Sequence, residues 1–457
     1  MAFLGIEFND SMLFASSAKQ LLFAEPGFAV VEAGAVTFGV EARRSAYTRP
    51  GTFYDRYWHD LSEAALARGA PPVETGADLA FAQLSRLWQT CSPGIKEVGL
   101  AVPVYWDQQQ LALLLGLSAE AGIPVRALVS IPVAATRREY PDCELLHIEL
   151  SAHATTLSRM TQQGSAAIDR SEIFSDLGTA ALERSCAEYF ARRFLTCSRF
   201  DPLHAAESEQ NVYARLPDWL ALLNREPEAE LVFEYRGNPF RATVNRADLG
   251  RRVQHRMQPL IQSLRARLQA DRPTALQLNA AFAGFPGLAE LLAELPGCDV
   301  FVLERGAAAQ GLVQRQADIP RTAGPPGLCA SLPWDETPAD LSLERAMASP
   351  TAANPSHVVF DSQVWRLGNL PLRIGSEAVE GEYSLVVDAG HAGISRQHCS
   401  IELGGGRFVL NDHSRFGTRL NGHKVQGSVV LQPGDVISLG DPVCELKLVA
   451  ETWARDE

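Results

Sequence analysis

The stretch Val429-Val-Leu-Gln-Pro-Gly-Asp-Val-Ile-Ser-Leu439 contains two short apolar segments separated by Pro433-Gly434. Short apolar segments on either side of a Pro-Gly pair are typical of strand–turn–strand structure. The pattern continues on both sides, because Gly404-Gly-Gly406 precedes Arg407-Phe-Val-Leu-Asn411, and Cys444-Glu-Leu-Lys-Leu448 alternates between polar and apolar residues. Many short strands punctuated by glycine and proline predict an all-β sandwich or barrel in this part of the chain.

Five motifs follow one another at close spacing in the same region. They are Arg373-Ile-Gly-Ser376, Ile394-Ser-Arg-Gln-His398, Asp412-His-Ser-Arg-Phe-Gly-Thr418, Asn421-Gly422 and Leu431-Gln-Pro-Gly-Asp435. As a set, the motifs resemble the forkhead-associated (FHA) family over about residues 358–450. The resemblance implies a two-sheet sandwich whose loops bind a phosphothreonine peptide of a partner protein.

The resemblance also implies which residues contact the phosphopeptide. The candidate residues are Ser376, Ser395, Arg396, Arg415, Thr418 and Asn421. Ser395 matches the serine that meets the phosphate, and Arg396 adds the positive charge that phosphate recognition requires. His398 matches a histidine that braces the loop, and Asn421 before Gly422 also fits a turn-holding role.

Two positions depart from the family pattern. Ser376 follows Gly375 where the family has a phosphate-binding arginine, and Phe416 stands where an asparagine commonly holds the peptide backbone. A charge-assisted contact to phosphate contributes about 1.5–3 kcal/mol, so its loss would lower affinity roughly tenfold or more. Arg415 or Arg373 could replace the missing charge. Two alternatives therefore stay open, a phosphothreonine site and a phosphate-independent protein contact.

Residues 314–357 differ in composition from the rest of the chain. They contain seven prolines and few large aliphatic residues, which is too little apolar surface to fold alone. The composition predicts a linker between an N-terminal domain, residues 1–313, and the FHA-like module. Thr322, Thr337 and Thr351 lie in this segment as possible phosphorylation sites that the module of the same chain could bind.

Strand-like and helix-like patterns alternate before the linker. Val98-Gly-Leu-Ala-Val-Pro103 is a continuous apolar run suited to a buried strand, and residues 108–121 follow as a helix. A second strand is predicted over residues 125–131, and long helices over residues 178–194 and 246–269. Such alternation predicts an α/β domain in which helices cover the sheet.

The N-terminal domain resembles the nucleotide-binding domain of DnaK-type heat-shock chaperones, in the actin-like ATPase superfamily. The resemblance rests on Gly5-Ile-Glu-Phe-Asn9, Val98-Gly-Leu-Ala-Val-Pro-Val-Tyr-Trp-Asp107, Ala121-Gly-Ile-Pro-Val125, Ile131-Pro-Val-Ala-Ala135, Thr243-Val-Asn-Arg-Ala-Asp-Leu249 and Gly306-Ala-Ala-Ala-Gln-Gly311. It spans about residues 1–313. It implies a two-lobed actin-like fold, with a ribonuclease-H-like sheet in each lobe and a nucleotide cleft between them.

The loops that would hold ATP in that family lack glycines that the family has there: the first two have none, and the third lacks the paired glycines. They read Glu7-Phe-Asn-Asp-Ser11, Glu149-Leu-Ser-Ala-His-Ala154 and Asn279-Ala-Ala-Phe-Ala-Gly-Phe-Pro286, with Phe282 expected to fill the last loop. Phosphates need close approach to bare backbone, so the added side chains predict a pseudo-ATPase without Mg·ATP, catalytic residues or a metal site. The residues of the degenerate cleft are Glu7, Asn9, Arg43, Glu149, His153 and Gly284, with Arg43 in place of the family's catalytic lysine.

Net charge, hydropathy and cysteine spacing restrict the possible functions further. A formal net charge of −13 argues against general nucleic-acid binding, and no apolar stretch is long enough to cross a membrane. The absence of a basic leader and of paired cysteines favours a reducing cytoplasm. The sequence predicts a non-enzymatic cytoplasmic adaptor with a protein partner. The alternative is a divergent ATP-binding, chaperone-like ATPase regulated through phosphopeptide binding.

Overall fold

The computed structural model describes residues 2–32, 35–268, 272–321, 325–339, 355–361, 363–368, 370–378, 382–387, 392–404, 407–425, 427–432, 434–440 and 443–449. The chain divides into two compact units, Met1–Ala339 and Asp340–Glu457, called here the body and the C-terminal unit. None of the described helices combines the length and apolar character that a membrane-crossing helix requires.

The body contains strands and helices in alternation. In chain order they are β1 (Ala2–Asn9), β2 (Met12–Ser16), β3 (Leu21–Glu25), β4 (Ala29–Glu32), β5 (Ala35–Phe38), α1 (Gly39–Arg43), β6 (Phe53–Tyr54), β7 (Ala65–Ala70), β8 (Val73–Thr75), α2 (Gly76–Cys91), β9 (Ile95–Val102), α3 (Gln108–Glu120), β10 (Val125–Ser130), α4 (Ile131–Ala135), β11 (Glu144–Leu150), β12 (Ala154–Gln162), β13 (Ser165–Ser175), α5 (Thr179–Ser198), α6 (Ala206–Arg225), β14 (Glu228–Tyr235), β15 (Asn238–Asn245), α7 (Arg246–Arg256), α8 (Gln258–Arg265), β16 (Thr274–Leu278), a 3₁₀ helix (Ala280–Gly284), α9 (Leu288–Ala293), β17 (Cys298–Val302), α10 (Ala307–Gln314), β18 (Leu328–Cys329) and β19 (Ser331–Pro333).

Five strands in each of the two six-stranded sheets of the body share one topology, and the sixth strands, β18 and β19, lie at opposite edges of that arrangement. The strand orders of the two sheets are β18-β10-β9-β1-β2-β3 and β17-β16-β11-β12-β13-β19. In the first sheet β1, β2 and β3 run antiparallel, and β9 and β10 are parallel to β1. In the second sheet β11, β12 and β13 run antiparallel, and β16 and β17 are parallel to β11. The body is therefore an α/β structure with an internal repeat of its sheets.

The sequence explains the central strands and the helix ends. The apolar half of β9 and the whole of β11 are buried, as expected for strands covered on both faces. Thr75 and Asp78 form a capping box at the start of α2, and Asp107 and Gln110 form another at α3. These reciprocal bonds pair backbone N–H groups that a helix leaves without intrahelical partners.

The long helix predicted from Arg246 is divided into two. Helix α7 ends at Arg256 and α8 begins at Gln258, with Pro259 in its first turn. Proline has no N–H for an intrahelical bond and is tolerated at a helix start, so it ends one helix and begins the next. Gln269, the predicted end, lies outside the described residues.

The structure differs from the linker prediction over the described residues 314–321 and 325–339. Strand β18 pairs with β10, and β19 pairs with β13, so this segment adds an edge strand to each large sheet of the body. Two or three residues suffice for such short edge strands, which tolerate neighbouring prolines. The boundary between the two units falls after Ala339. Residues 340–354, Thr322 and Thr351 lie outside the described residues.

The C-terminal unit is a β-sandwich, as predicted. Its strands are β20 (His357–Phe360), β21 (Gln363–Arg366), β22 (Leu372–Gly375), β23 (Ser384–Val386), β24 (Cys399–Gly404), β25 (Arg407–Asp412), β26 (Arg419–Leu420), β27 (His423–Lys424), β28 (Ser428–Val430), β29 (Val436–Leu439) and β30 (Cys444–Val449). They form one sheet of order β21-β20-β30-β29-β26-β27 and another of order β23-β22-β24-β25-β28. Gly405, Gly406 and Pro433, at predicted turns, lie outside the described residues.

The core of the C-terminal unit draws on both sheets. Ile374 and Ile401 of one sheet and Ile437 and Leu446 of the other belong to a single buried apolar cluster. In β30 buried and exposed residues alternate strictly, which is the pattern of a strand with one face on a core. The sandwich holds the loops at its ends in fixed positions.

Candidate functional site

The first candidate site lies where the loops after β22, before β24 and after β25 meet. The Ser376 N–H donates to the Ser395 carbonyl oxygen (3.1 Å), and the Arg415 N–H donates to Ser395 Oγ (3.4 Å). The His413 N–H donates to the His398 carbonyl oxygen (2.9 Å). These bonds connect the three loops, so the structure brings four predicted contacts together: Ser376, Ser395, Arg396 and Arg415.

Gly375 is necessary for this close approach. It is the last residue of β22, and a Cβ at this position would overlap the carbonyl oxygen of Arg396. A side chain here would push the loop that carries Ser395 and Arg396 away from the end of β22. The glycine thus positions the loop against Ser376.

His398 braces the loop from inside, as the resemblance implied. Its side chain is buried, and Nδ1 accepts the Ser395 N–H at 3.1 Å. Burial lowers the pKa of His398, which favours the neutral imidazole that can accept this bond. His398 therefore fixes the backbone at Ser395 and does not contact a ligand itself.

Thr418 is not available to a peptide. It is fully buried, and its hydroxyl donates to Asp412 Oδ1 (2.8 Å) while its N–H faces Asp412 Oδ2 (3.3 Å). Asp412 also accepts the Ser414 N–H at 3.0 Å. Burial acts to raise the pKa of Asp412, but bonds from Ser414 and Thr418 hold it below its usual value. The prediction for Thr418 is therefore corrected: it closes the loop that carries Arg415.

Asn421 also forms its hydrogen bonds within the domain. Its Nδ2 donates to Asp435 Oδ1 (2.7 Å), and its Oδ1 accepts the Val436 N–H (2.9 Å). Its φ of 51° lies in the left-handed region, which asparagine tolerates better than most residues. Because both amide atoms are used, Asn421 has the turn-holding role, and its predicted contact with a peptide is corrected.

The arginines of the C-terminal unit have different surroundings. Arg373 lies between Glu382 (3.1 Å) and Glu402 (3.2 Å), so its charge is already matched. Arg396 is exposed and lies 3.4 Å from Glu377, in an ion pair that solvent screens. Arg415 is exposed and forms no ion pair with any described residue. Of the two arginines considered as replacements for the missing one, Arg415 is the one beside Ser395.

An apolar groove borders the same loops. Phe416 is 74% exposed and Val443 is 60% exposed, unusually high values for such side chains. Together with Ala392, Leu439 and other residues they line a depression of about 360 Å³. The residue that replaces the family's asparagine thus adds an apolar surface next to the charged one.

A second candidate site is a cavity of about 520 Å³ within the body. It is lined by residues from both large sheets, from α6, from the 3₁₀ helix and from the start of α10. Five of the six residues predicted for a degenerate cleft line it: Glu7, Asn9, Arg43, Glu149 and Gly284. In the described part of the chain, no group of three or more His, Cys, Asp or Glu side chains is arranged to hold a metal ion.

Glu7 and Glu149 project from the central strands β1 and β11 into this cavity. Glu7 Oε2 accepts the N–H groups of Ala308 (3.0 Å) and Ala309 (3.2 Å) at the start of α10. Burial, and then the charge of Glu149, raise the pKa of Glu7 to about 8. At neutral pH Glu7 is therefore mostly protonated.

The turns that follow β1 and β11 are bonded directly to each other. Asn9 Nδ2 donates to Glu149 and to the Leu150 carbonyl oxygen, the latter at 3.3 Å. The Ala152 N–H donates to Asp10 Oδ1 at 2.6 Å. These two turns are those that the sequence resemblance predicted as degenerate phosphate loops. Side chains and backbone of the two turns occupy the space between them.

Three residues of the predicted cleft and its loops already have a partner or a place in the core. His153 is not among the residues that line the cavity, and its Nε2 lies 2.9 Å from the Asp55 carbonyl oxygen. Phe282 is fully buried in the apolar core and does not fill the loop. Arg43 lines the cavity but is held by Glu183 at 2.5 Å. The expectation that Phe282 fills the last loop is therefore corrected, because its ring packs into the core.

Comparison with known proteins supports one of the two resemblances. Residues 372–440 match the family model described as FHA domain. The match includes all six of the predicted phosphopeptide residues and the loops that carry them. No curated protein matches the chain.

Proposed function

Since the C-terminal unit contains an FHA domain, a protein-interaction module, we propose that it binds a threonine-phosphorylated segment of a partner protein. The proposed binding residues are Ser376, Ser395, Arg396 and Arg415. The phosphate would accept hydrogen bonds from the Ser376 and Ser395 hydroxyls. The two exposed guanidinium groups would supply positive charge.

The observation that carries this proposal is the position of Arg415. Its backbone N–H is bonded to Ser395 Oγ at 3.4 Å, so the loop that carries Arg415 lies against the predicted phosphate-binding hydroxyl. A guanidinium beside a serine hydroxyl can form a charge-assisted, bidentate contact with a phosphate. Arg415 would thus supply the positive charge that is missing because Ser376 stands where the family has an arginine.

Binding of the full-length chain to an array of threonine peptides, each in phosphorylated and unphosphorylated form, tests the proposal. We expect signal on a subset of phosphorylated spots and at least tenfold less signal on the unphosphorylated partners, because a charged phosphate contact contributes about 1.5–3 kcal/mol. Ser395→Ala should reduce the phosphorylated signal. Signal that ignores phosphorylation, or that survives Ser395→Ala unchanged, contradicts the proposal.

The apolar groove at Phe416 favours a second candidate, a protein contact that does not require phosphate. An aromatic ring with 74% of its surface exposed is a large apolar area that a partner side chain could cover. On the same array this function would give signals that follow apolar residues in the peptide. Phe416→Ser would abolish those signals, while Ser395→Ala would leave them.

We further propose that the body is a two-lobed actin-like fold that neither binds nor hydrolyses ATP. The repeated topology of its two sheets and the chaperone-like motifs support the fold. The direct bonds from Asn9 to Glu149 and from Ala152 to Asp10 support the loss of activity, because a triphosphate would have to break them. The chain as a whole would then be an adaptor that holds a phosphorylated partner beside the body.

Titration calorimetry with Mg·ATP tests the proposal for the body. We expect no heat above dilution for the full-length chain, since the turns after β1 and β11 carry side chains where phosphates require glycine-rich backbone. Clear micromolar binding contradicts this proposal. Mg²⁺-dependent hydrolysis that disappears in Glu7→Ala or Glu149→Ala would establish the alternative, a divergent ATPase.

The proposed location is the cytoplasm. All eight cysteines lie in described ranges, and none of them forms a disulfide. Free buried cysteines such as Cys186 and Cys399 are expected in a reducing compartment.

A further inference from the structure

The body cavity has a polar floor whose two carboxylates come from different sheets. Glu149 is well bonded, since Asn9 and Asn279 donate to its Oε1 and His147 Nε2 lies 3.3 Å from its Oε2. Glu7 differs, because only its Oε2 is bonded, to the Ala308 and Ala309 N–H groups. Only 5% of the surface of Glu7 is exposed. Its Oε1 has no hydrogen-bond partner among the described residues. A buried carboxyl oxygen is therefore available to a ligand in the cavity.

The walls above this floor are largely apolar. They include Met12, Phe14, Phe28, Leu220, Phe285 and Leu303. A volume of about 520 Å³ lies in the range of sites that enclose small molecules. The walls favour a ligand with an aromatic or aliphatic body.

The charges around the cavity favour a positive ligand. Its lining carries four carboxyl groups and two guanidinium groups. The carboxyl groups are those of Glu7, Glu149, Glu183 and Glu304. Arg43 is matched by Glu183, and Arg305 lies over the Phe14 ring at the wall, so neither cation neutralises the floor. An anionic ligand would face the negative charge of Glu149, whereas a cation would be attracted by it and would favour ionisation of Glu7.

We propose that this cavity binds an organic monocation, an ammonium or amidinium group on an apolar body, with the cation seated between Glu7 and Glu149. The cation would donate to Glu7 Oε1 and share the charge of Glu149. The apolar body would lie against Phe14, Phe28 and Leu220. This inference concerns the body alone and does not depend on phosphopeptide binding by the C-terminal unit.

Binding of a cation should be linked to loss of a proton. With its pKa near 8, Glu7 carries a proton at neutral pH and must release it when a cation arrives. The charged and titratable groups that face Glu7 across the cavity are Glu149, His147, Arg43, Glu183, Glu304 and Arg305. Affinity should therefore rise about tenfold between about pH 7 and pH 9, in step with the ionised fraction of Glu7.

A matched set of probes tests the proposal on the full-length chain. Tryptamine, tryptophol and indole-3-acetate share an indole body and carry a cationic, a neutral and an anionic group. We expect calorimetry near pH 8 to show binding of tryptamine at least tenfold tighter than either of the others. Repeating the tryptamine titration in buffers of different ionisation enthalpy should reveal release of nearly one proton near pH 7.

Glu7→Gln is the informative variant, because glutamine keeps the shape of the protonated acid. It should weaken tryptamine binding by tenfold or more near pH 9 and remove the pH dependence. Glu230→Gln, at an exposed glutamate in β14, is the matched control and should behave as the unmodified chain. Equal binding of tryptamine and tryptophol, or no binding of tryptamine, overturns the proposal.

The wild-type titrations decide the matter even if Glu7→Gln fails to fold, which circular dichroism would reveal. Tryptamine binding without proton release, or with the same affinity near pH 7 and pH 9, overturns the role of Glu7. Proton release together with the expected rise in affinity supports it.

Discussion

Arg415→Ala is expected to weaken phosphothreonine-peptide binding roughly tenfold to a hundredfold, measured by fluorescence anisotropy at fixed ionic strength. The variant removes one charge-assisted contact, worth about 1.5–3 kcal/mol. The loss should be large for this site because Ser376 replaces another phosphate-binding arginine. The backbone bond from residue 415 to Ser395 Oγ does not need the arginine side chain, so the loop should keep its shape.

Arg373→Ala is the matched control for this experiment. Arg373 belongs to the same sandwich and carries the same charge, but Glu382 and Glu402 already pair with it. We expect its removal to change affinity by less than about twofold, since partly exposed ion pairs contribute little. Equal losses from the two variants would mean that general charge, and not the position of Arg415, determines binding.

Arg315→Met is expected to destabilise the body by about 3–5 kcal/mol, because the variant leaves buried acceptors without a partner. The guanidinium of Arg315 is fully buried and donates to the carbonyl oxygens of Thr136 (2.9 Å), Val133 (3.2 Å) and Ala134. Its Nε also donates to the Gly311 carbonyl oxygen at 3.2 Å. One side chain thus joins α10 to the end of α4.

Urea unfolding followed by tryptophan fluorescence measures this effect. Arg251→Met, at an arginine that is exposed and paired only with Asp248 in the same helix, is the control and should change the free energy of unfolding by less than about 1 kcal/mol. Arg315→Lys keeps the charge but not the planar fork, so we expect an intermediate loss. An Arg315→Met body as stable as the control would contradict the role of this side chain.

The sequence predicted the C-terminal unit better than the body. Its short strands and turns carry their own local signals, and the motifs around Gly375, Ser395 and Asn421 are specific as a set. The directions in which individual side chains point were harder to predict from the sequence. Thr418 belongs to the family motif, but the motif does not reveal that its hydroxyl turns inward to Asp412.

In the body, the alternation of strands and helices was sufficient to predict an α/β structure. The alternation could not predict the packing between distant turns, because Asn9 and Glu149 are 140 residues apart and no local pattern relates them. The proline-rich composition that begins at residue 314 predicted a linker, but Arg315 and the two short edge strands β18 and β19 attach this part of the chain to the body. Composition describes what a segment can do alone, whereas here the two large sheets supply its partners.

The most direct test of the account is the crystal structure of the full-length chain with a threonine-phosphorylated peptide selected from the array. We expect the phosphate oxygens within hydrogen-bonding distance of Ser395 Oγ and of the Arg415 guanidinium. A bound peptide whose phosphate faces solvent, or whose contacts lie only in the groove at Phe416, would contradict phosphate recognition by this site.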